Sequence, residues 1–128
     1  VELVDGAMEV FPKTKDYIAV TNFSVANPEA GNFPCPRFAT LKRELTPDAK
    51  VNPEFCRDVL QGTSVPRTHI ADENRDGGTL YSNVCELQNG VMYLYREGRC
   101  DAPARIDLAA YLAKGSETYD MDDLFKKE

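Results

Sequence analysis

The sequence predicts an α+β fold in which an antiparallel sheet carries helices on one face. Two pairs of β-rich runs enclose two stretches of helical periodicity, and a third helical stretch follows the second pair. No segment of about 20 to 50 residues recurs along the chain, which argues against a repeat architecture. We expect residues 1–128 to form a single domain, with an acidic C-terminal extension at 116–128.

The first strand pair is predicted at the N-terminus. Residues 2–11 and 17–22 have the composition of strands, with a turn between them at 13–16. The second run begins with four apolar residues, which is typical of a strand covered on both faces. Residues 23–34 are rich in Asn, Pro and Gly, and this composition indicates a loop that leaves the sheet. Asn22 would therefore lie at the rim of the sheet.

Two amphipathic helices are predicted next. The first begins with Pro36, which suits a first helical turn, and ends before Pro47. Its apolar side chains recur at helical spacing, at Phe38, Leu41 and Leu45. Asn52 can cap the second helix, and Gly62 can end it.

A second strand pair and a third helix complete the predicted fold. Residues 79–87 and 91–96 are β-rich, and the Asn89-Gly90 pair between them is a hairpin signal. Residues 106–113 have helical spacing, with Gly115 as the C-terminal cap. Two apolar side chains are expected to dock the extension: Leu124 and Phe125.

The composition argues against two classes of partner. The formal net charge is −6, and no basic stripe with interleaved aromatic residues is present, so neither nucleic acid nor a membrane surface is expected to bind. No apolar run approaches the roughly 20 residues of a spanning helix. The residues leave the compartment open and are compatible with a secreted or otherwise extracytoplasmic protein and with homo-oligomers.

No cofactor and no metal ion is expected. The chain has one histidine, His69, and no CxxC pair, so a zinc site lacks ligands at usable spacing. Four cysteines could form two disulfides or stay buried as thiols, and the sequence does not choose between these states. They are Cys35, Cys56, Cys85 and Cys100.

One segment matches the opening of a calcium-binding loop. Asp72, Asn74, Asp76 and Gly77 follow the D-x-N-x-D-G pattern, which places oxygen ligands for a hard cation. The twelfth position, however, is Asn83 instead of the bidentate glutamate. A polar turn is therefore the favoured interpretation.

A series of short motifs resembles a known enzyme family. The motifs are the string DYIAVTN at 16–22, Cys-Pro-Arg-Phe at 35–38, Asn-Pro-Glu at 52–54, Thr-Leu-Tyr-Ser at 79–82, and the segment from 107 to 125. Their order and spacing resemble the C-terminal half of the linear-amide C–N hydrolases. This N-terminal-nucleophile family includes the choloylglycine hydrolases, the penicillin acyltransferase-like proteins and, more distantly, the acid ceramidases. The resemblance covers nearly the whole chain.

The resemblance implies a site as well as a fold. It implies the second half of an αββα sandwich that cleaves non-peptide linear amide bonds in small molecules, by hydrolysis or acyl transfer. Asn22 matches the family asparagine that holds the oxyanion or substrate carbonyl, and Arg37 matches the arginine that orients the nucleophile. Thr21 and Phe23, beside Asn22, would contact the substrate.

The family nucleophile is a cysteine whose own α-amine acts as the base. Val1 stands at the start here, and none of the four cysteines has a free α-amine. We therefore expect the chain alone to be inactive and to need the missing N-terminal half as its partner.

Two functional hypotheses follow from the sequence. The chain is either the C-terminal portion of such a hydrolase or a small α+β module that binds a ligand or partner through the loop at 23–34. An exposed apolar second sheet face would favour the hydrolase portion. A covered sheet would favour the binding module.

Overall fold

The computed structural model describes residues 1–70, 75–96 and 99–126. The fold is α+β with antiparallel sheets only among these residues, as the sequence predicts. Contacts within the chain divide it into two compact units, Val1–Lys50 and Val51–Glu128. No helix of the described residues is long and apolar enough to cross a bilayer.

The first unit begins with a hairpin where one strand was predicted. Strands β1 (Glu2–Val4) and β2 (Ala7–Glu9) pair antiparallel, and Val4 lies opposite Ala7. Between them Asp5 and Gly6 both have positive φ, 49° and 80°. Asp-Gly favours this two-residue turn because it tolerates left-handed backbone geometry. The prediction of a single strand over 2–11 is therefore wrong.

The predicted second strand at 17–22 is also wrong. The backbone there is irregular, and the turn predicted at 13–16 does not join paired strands. Ile18 and Val20 are 71% and 67% exposed, so the apolar run is not covered on both faces. An apolar run becomes a strand only when a neighbouring strand forms hydrogen bonds with its backbone. Among the described residues, β1 and β2 pair only with each other, so neither provides a partner for residues 17–22.

The predicted loop at 23–34 is confirmed, and a helix follows it. The loop contains one short 3-10 turn, Pro28–Ala30, and ends with a cis peptide bond between Phe33 and Pro34. Helix α1 (Pro36–Glu44) begins at the predicted proline, because proline has no N–H that needs a partner at that position.

The second unit begins with helix α2 (Pro53–Gly62), whose two ends are as predicted. The Oδ1 atom of Asn52 accepts a hydrogen bond of 2.7 Å from the backbone N–H of Phe55. This bond satisfies one of the four N–H groups that have no partner within the helix. A short hairpin follows, in which strands β3 (Thr68–Ile70) and β4 (Arg75–Gly77) pair antiparallel. The sequence does not predict this pair, because its three-residue strands carry no apolar alternation.

A three-stranded antiparallel sheet forms the centre of the second unit. Strands β5 (Tyr81–Glu86) and β6 (Val91–Arg96) form the predicted hairpin through the turn at Asn89 and Gly90. Strand β7 (Arg99–Asp107) pairs with β6 on its other side and was not predicted. Its sequence contains Pro103, which is tolerated because β7 is an edge strand and its register shifts between Leu94 and Arg96 of β6.

The third helix is shorter than predicted because the first two residues of the predicted helix, 106 and 107, belong to strand β7. Helix α3 (Leu108–Ala113) begins directly after Asp107, whose Oδ1 accepts a 2.9 Å hydrogen bond from the Ala110 N–H. Ile106, predicted to be helical, is buried in β7. The carboxylate cap therefore marks where strand changes to helix.

Both faces of the central strand β6 are covered. Leu94 and Tyr95 are neighbours in sequence and point to opposite faces, yet both are buried. On the Tyr95 face, Val84 and Cys100 complete a small core, against which Cys56 and Leu60 of α2 pack. Among the described residues, the sheet of the second unit thus has no large exposed apolar face at its centre.

The acidic extension contains one further short helix, α4 (Met121–Leu124). Leu124 and Phe125, the two residues predicted to dock it, are half-buried. An ion pair of 2.6 Å joins Asp122 Oδ1 to Arg96 Nη1 at the end of β6. This ion pair therefore links the extension to strand β6.

Candidate functional site

A pocket of about 370 Å³ in the first unit contains two of the predicted site residues. Asn22 and Arg37 line it, although 15 positions separate them in sequence. The other lining residues come from the end of the loop and the start of α1: Asn32, Phe33, Pro34, Cys35 and Pro36. Asn22 is exposed and Arg37 is half-buried, so both are accessible to a ligand in the pocket.

The loop fixes the backbone next to Asn22. The Nδ2 atom of Asn32 donates a 3.0 Å hydrogen bond to the backbone carbonyl of Asn22. Asn32 itself has a φ of 60°, a left-handed geometry that asparagine tolerates better than most residues. This bond holds Asn22 at the pocket without using its side chain, which leaves the side-chain amide available to a ligand.

Helix α1 positions the opposite wall of the pocket. Cys35 is its N-cap residue and Arg37 lies in its first turn. The backbone N–H groups of this turn and the Arg37 guanidinium give this wall positive character. The wall therefore suits a carbonyl oxygen or an anion.

Cys35 also lines this pocket, although the family resemblance predicts no role for it in the site. Its pKa lies below the ordinary cysteine value, first because of the Thr21 hydroxyl and next because of the backbone N–H groups of Phe38 and Arg37. Burial of the side chain, which is 7% exposed, opposes this shift without cancelling it. The Thr21 hydroxyl and, after it, the first turn of α1 therefore favour the thiolate form of Cys35.

Thr21 is placed beside Cys35 rather than on the pocket wall. Its Oγ1 atom is buried and makes no hydrogen bond within the described residues. A neutral thiol is a weak acceptor, so the Thr21 hydroxyl acts mainly on the thiolate, toward which its proton can turn. The substrate-binding role predicted for Thr21 stays a prediction, and its position indicates an effect through Cys35.

Phe23 belongs to an aromatic cluster behind the pocket. Its ring centroid lies 5.1 Å from that of Phe33 and 4.9 Å from that of Phe38, the latter edge-on. Such contacts stabilise by about 0.5 to 1.5 kcal/mol each beyond the area they bury. Phe23 is not among the pocket-lining residues, so its predicted contact with substrate stays untested.

No family model, curated protein or solved structure matches this chain. The geometry of its own residues is therefore the basis for any functional assignment.

The described residues contain no group of three or more His, Cys, Asp or Glu side chains that could hold a metal ion. Asp72 and Asn74, which began the candidate calcium loop, lie outside the described residues. Asp76 and Gly77 belong to strand β4 and pair with β3.

The sequence contained a local signal for Cys35. A cysteine directly before a proline that begins a helix occupies the N-cap position; Cys35 makes no side-chain cap hydrogen bond there, but the backbone N–H groups of Phe38 and Arg37 contribute to its lowered pKa. Thiols at helix N-termini have lowered pKa values. The pattern Cys-Pro followed by a helix therefore indicates part of the cause, whereas Thr21, the first cause of the lowered pKa, is distant in sequence.

Proposed function

We propose that the pocket around Asn22 and Arg37 is this chain's contribution to a site that cleaves or transfers acyl groups at non-peptide linear amide bonds. One observation supports the proposal: both residues selected by the family resemblance line the same pocket. Their side chains are hydrogen-bond donors, which an acyl-transfer site needs where negative charge develops on the carbonyl oxygen.

The proposed roles follow from the chemistry of acyl transfer. A thiolate attacks the amide carbonyl, and the Asn22 amide donates a hydrogen bond to the resulting oxyanion. The guanidinium of Arg37 orients the nucleophile. When the carbon–nitrogen bond breaks, the leaving amine takes a proton from the α-ammonium of the nucleophilic cysteine, and water then releases the acyl group.

In this proposal the nucleophile comes from another segment. The unit Val1–Lys50 contains no histidine that could act as a base for Cys35. Cys35 is 7% exposed, and no histidine of this unit could protonate a leaving amine at its sulfur. We expect the 128-residue chain to release no nitroaniline from a short-chain acyl 4-nitroanilide.

The decisive experiment joins the chain to the segment that precedes Val1 in its reading frame. The proposal expects that segment to contain a cysteine that becomes an N-terminus, and expects the longer protein to release nitroaniline. Asn22→Ala should then lower kcat by about 10² to 10³. Asn83→Ala, which changes an exposed asparagine on β5, is the matched control and should leave kcat unchanged.

Two outcomes would contradict this assignment. A reading frame without such a cysteine would leave the proposed mechanism without a nucleophile. Equal activity of the Asn22→Ala and Asn83→Ala variants would show that Asn22 has no role in the site.

A second candidate function is a binding module without chemistry. The covered central strand favours it, because Leu94 and Tyr95 are buried on opposite faces of β6. The exposed apolar face of the β1–β2 hairpin, with Leu3 opposite Met8, favours the hydrolase portion. The binding module predicts a stable monomer that takes up a ligand beside the loop at 23–34 and gains no activity from the preceding segment.

A further inference from the structure

A second pocket in the first unit combines apolar walls with a basic rim. It has a volume of about 440 Å³ and shares no lining residue with the pocket around Asn22. Its volume lies within the range of about 300 to 1,000 Å³ that is typical of small-molecule sites. The apolar walls are formed by Phe11, Ile18, Val20, Val25 and Phe38.

Three lysines, Lys13, Lys15 and Lys42, line the same pocket. The Nζ atom of Lys15 donates a 3.4 Å hydrogen bond to the Tyr17 hydroxyl, and that of Lys42 lies 5.7 Å from the centre of the Phe38 ring. Within the described residues none of the three lysines forms an ion pair. The ammonium groups of Lys15 and Lys42 lie beside aromatic rings that line the pocket, and Lys13 lines it as an exposed side chain.

Among the described residues, Glu2 is the one acidic side chain that lines this pocket, and its carboxylate is already hydrogen-bonded. Glu2 accepts hydrogen bonds from the Ser24 hydroxyl and from the backbone N–H groups of Val25 and Ala26. Both of its carboxylate oxygens point to the loop. The pocket thus has a local excess of positive charge in a chain whose net charge is −6.

We propose that this pocket binds an amphiphilic monoanion, a carboxylate that carries a medium-length alkyl chain. The alkyl chain would cover Phe11, Ile18 and Phe38, and the carboxylate would lie among the three lysine ammonium groups. Burial of alkyl surface supplies most of the affinity, at about 25 cal/mol per Å² of apolar surface. The lysines supply the preference for an anionic head group. The proposal does not depend on the amide-hydrolase assignment, since the two pockets are separate.

Decanoate is the probe that tests this inference, with two partial ligands beside it. Calorimetric titration of the 128-residue chain at low salt should give binding for decanoate, weaker binding for decanol, and none for acetate at the same concentrations. Decanol retains the alkyl chain without the carboxylate, and acetate retains the carboxylate without the alkyl chain. Added salt should weaken decanoate binding and leave decanol binding unchanged.

The lysine variants distinguish the basic rim from the apolar walls. Lys15→Gln and Lys42→Gln should each lower decanoate affinity by about two- to fivefold, in line with exposed charge pairs, without changing decanol affinity. Lys50→Gln is the control, because Lys50 is an exposed lysine of the same unit outside the pocket. Ile18→Ser should weaken the binding of both decanoate and decanol, since it alters an apolar wall.

Equal affinities for decanoate and decanol would overturn the inference, as would equal effects of the Lys42→Gln and Lys50→Gln variants. Failure of decanoate to bind would overturn it as well. Circular dichroism of each variant confirms that the exposed substitutions leave the fold intact, so a loss of binding is attributable to the pocket.

Discussion

The carboxylate of Glu2 accepts a 2.7 Å hydrogen bond from the hydroxyl of Ser24, 22 residues further along the chain. The same carboxylate accepts a 2.7 Å bond from the Val25 N–H and a 3.2 Å bond from the Ala26 N–H. One side chain of β1 therefore fixes the start of the loop that leads to the pocket around Asn22. Because all three donors favour the charged form, the pKa of Glu2 lies below its ordinary value.

Neutralising Glu2 should loosen this loop. In Glu2→Gln, the Val25 and Ala26 amides lose their charged acceptor, and hydrogen exchange at both should be faster than in the wild type. Glu9→Gln is the control, because Glu9 lies opposite Glu2 in the hairpin but holds no loop amide. Equal exchange rates in the two variants would show that the carboxylate does not hold the loop.

The same contact predicts a pH dependence. Since the folded-state pKa of Glu2 is lowered, its contribution is complete above the unfolded glutamate value of about 4.3 and is lost as pH falls through the lower folded value. Protection of Val25 and Ala26 should thus be constant from pH 5 to 7 and decline only below that range, at about pH 4 or lower. A decline already between pH 6 and 7 would contradict this account.

Two leucines of the second unit give a matched test of its core. Leu94 on β6 is 6% exposed, whereas Leu87 in the preceding turn is 80% exposed. Leu94→Ala should lower the free energy of unfolding by about 2 to 5 kcal/mol, because it removes buried surface and leaves a cavity. Leu87→Ala should stay within about 0.5 kcal/mol of the wild type. Urea denaturation measures both, and similar losses in the two variants would contradict the burial pattern.

Gly78 lies where no side chain fits. Its φ is 128°, and an added Cβ would lie 2.8 Å from both the Arg67 Cα and the Pro66 carbonyl oxygen. Gly90 has a φ of 62° with open space around it. Gly90→Ala therefore costs only the left-handed strain of about 1 to 2 kcal/mol. Gly78→Ala adds a clash with backbone and should lower the melting temperature more than Gly90→Ala does; the reverse order would be inconsistent with this close approach.

Cys35 and Cys100 provide a comparison at equal burial, since both are 7% exposed. Burial raises the pKa of Cys100, whereas the Thr21 hydroxyl and the α1 backbone lower that of Cys35. A lower pKa gives a larger thiolate fraction at a given pH, so iodoacetamide should alkylate Cys35 several-fold faster than Cys100 at pH 7. Peptide mapping by mass spectrometry reports each rate.

The control for this comparison is Cys85. Because its side chain is exposed, iodoacetamide should alkylate it readily. Thr21→Val removes the hydroxyl at nearly constant shape and should slow alkylation of Cys35 without affecting Cys85. If Thr21→Val left the Cys35 rate unchanged, the hydroxyl would not be the first cause of its lowered pKa.

The sequence predicted best where the determining interactions are local. Asn52 and Gly62 define α2, and Asn89-Gly90 defines the β5–β6 turn, because caps and tight turns depend on residues within about four positions. The same logic applied to Asp5-Gly6 would have given the first hairpin. Asn22 and Arg37, selected by the motif resemblance, line one pocket, and their predicted roles stay predictions. The resemblance assigned no role to Cys35, which lines the same pocket.

The sequence by itself determined the α+β class, the two main helices and the central hairpin of this protein. Only the tertiary structure decided that the apolar residues at 17–22 stay unpaired and that the proline-containing segment Arg99–Asp107 is a strand. Strand formation depends on whether a distant partner accepts the backbone hydrogen bonds, and β6 does so for β7. The lowered pKa of Cys35 is non-local for the same reason, because its first cause is Thr21, a neighbour in space 14 positions earlier in the chain.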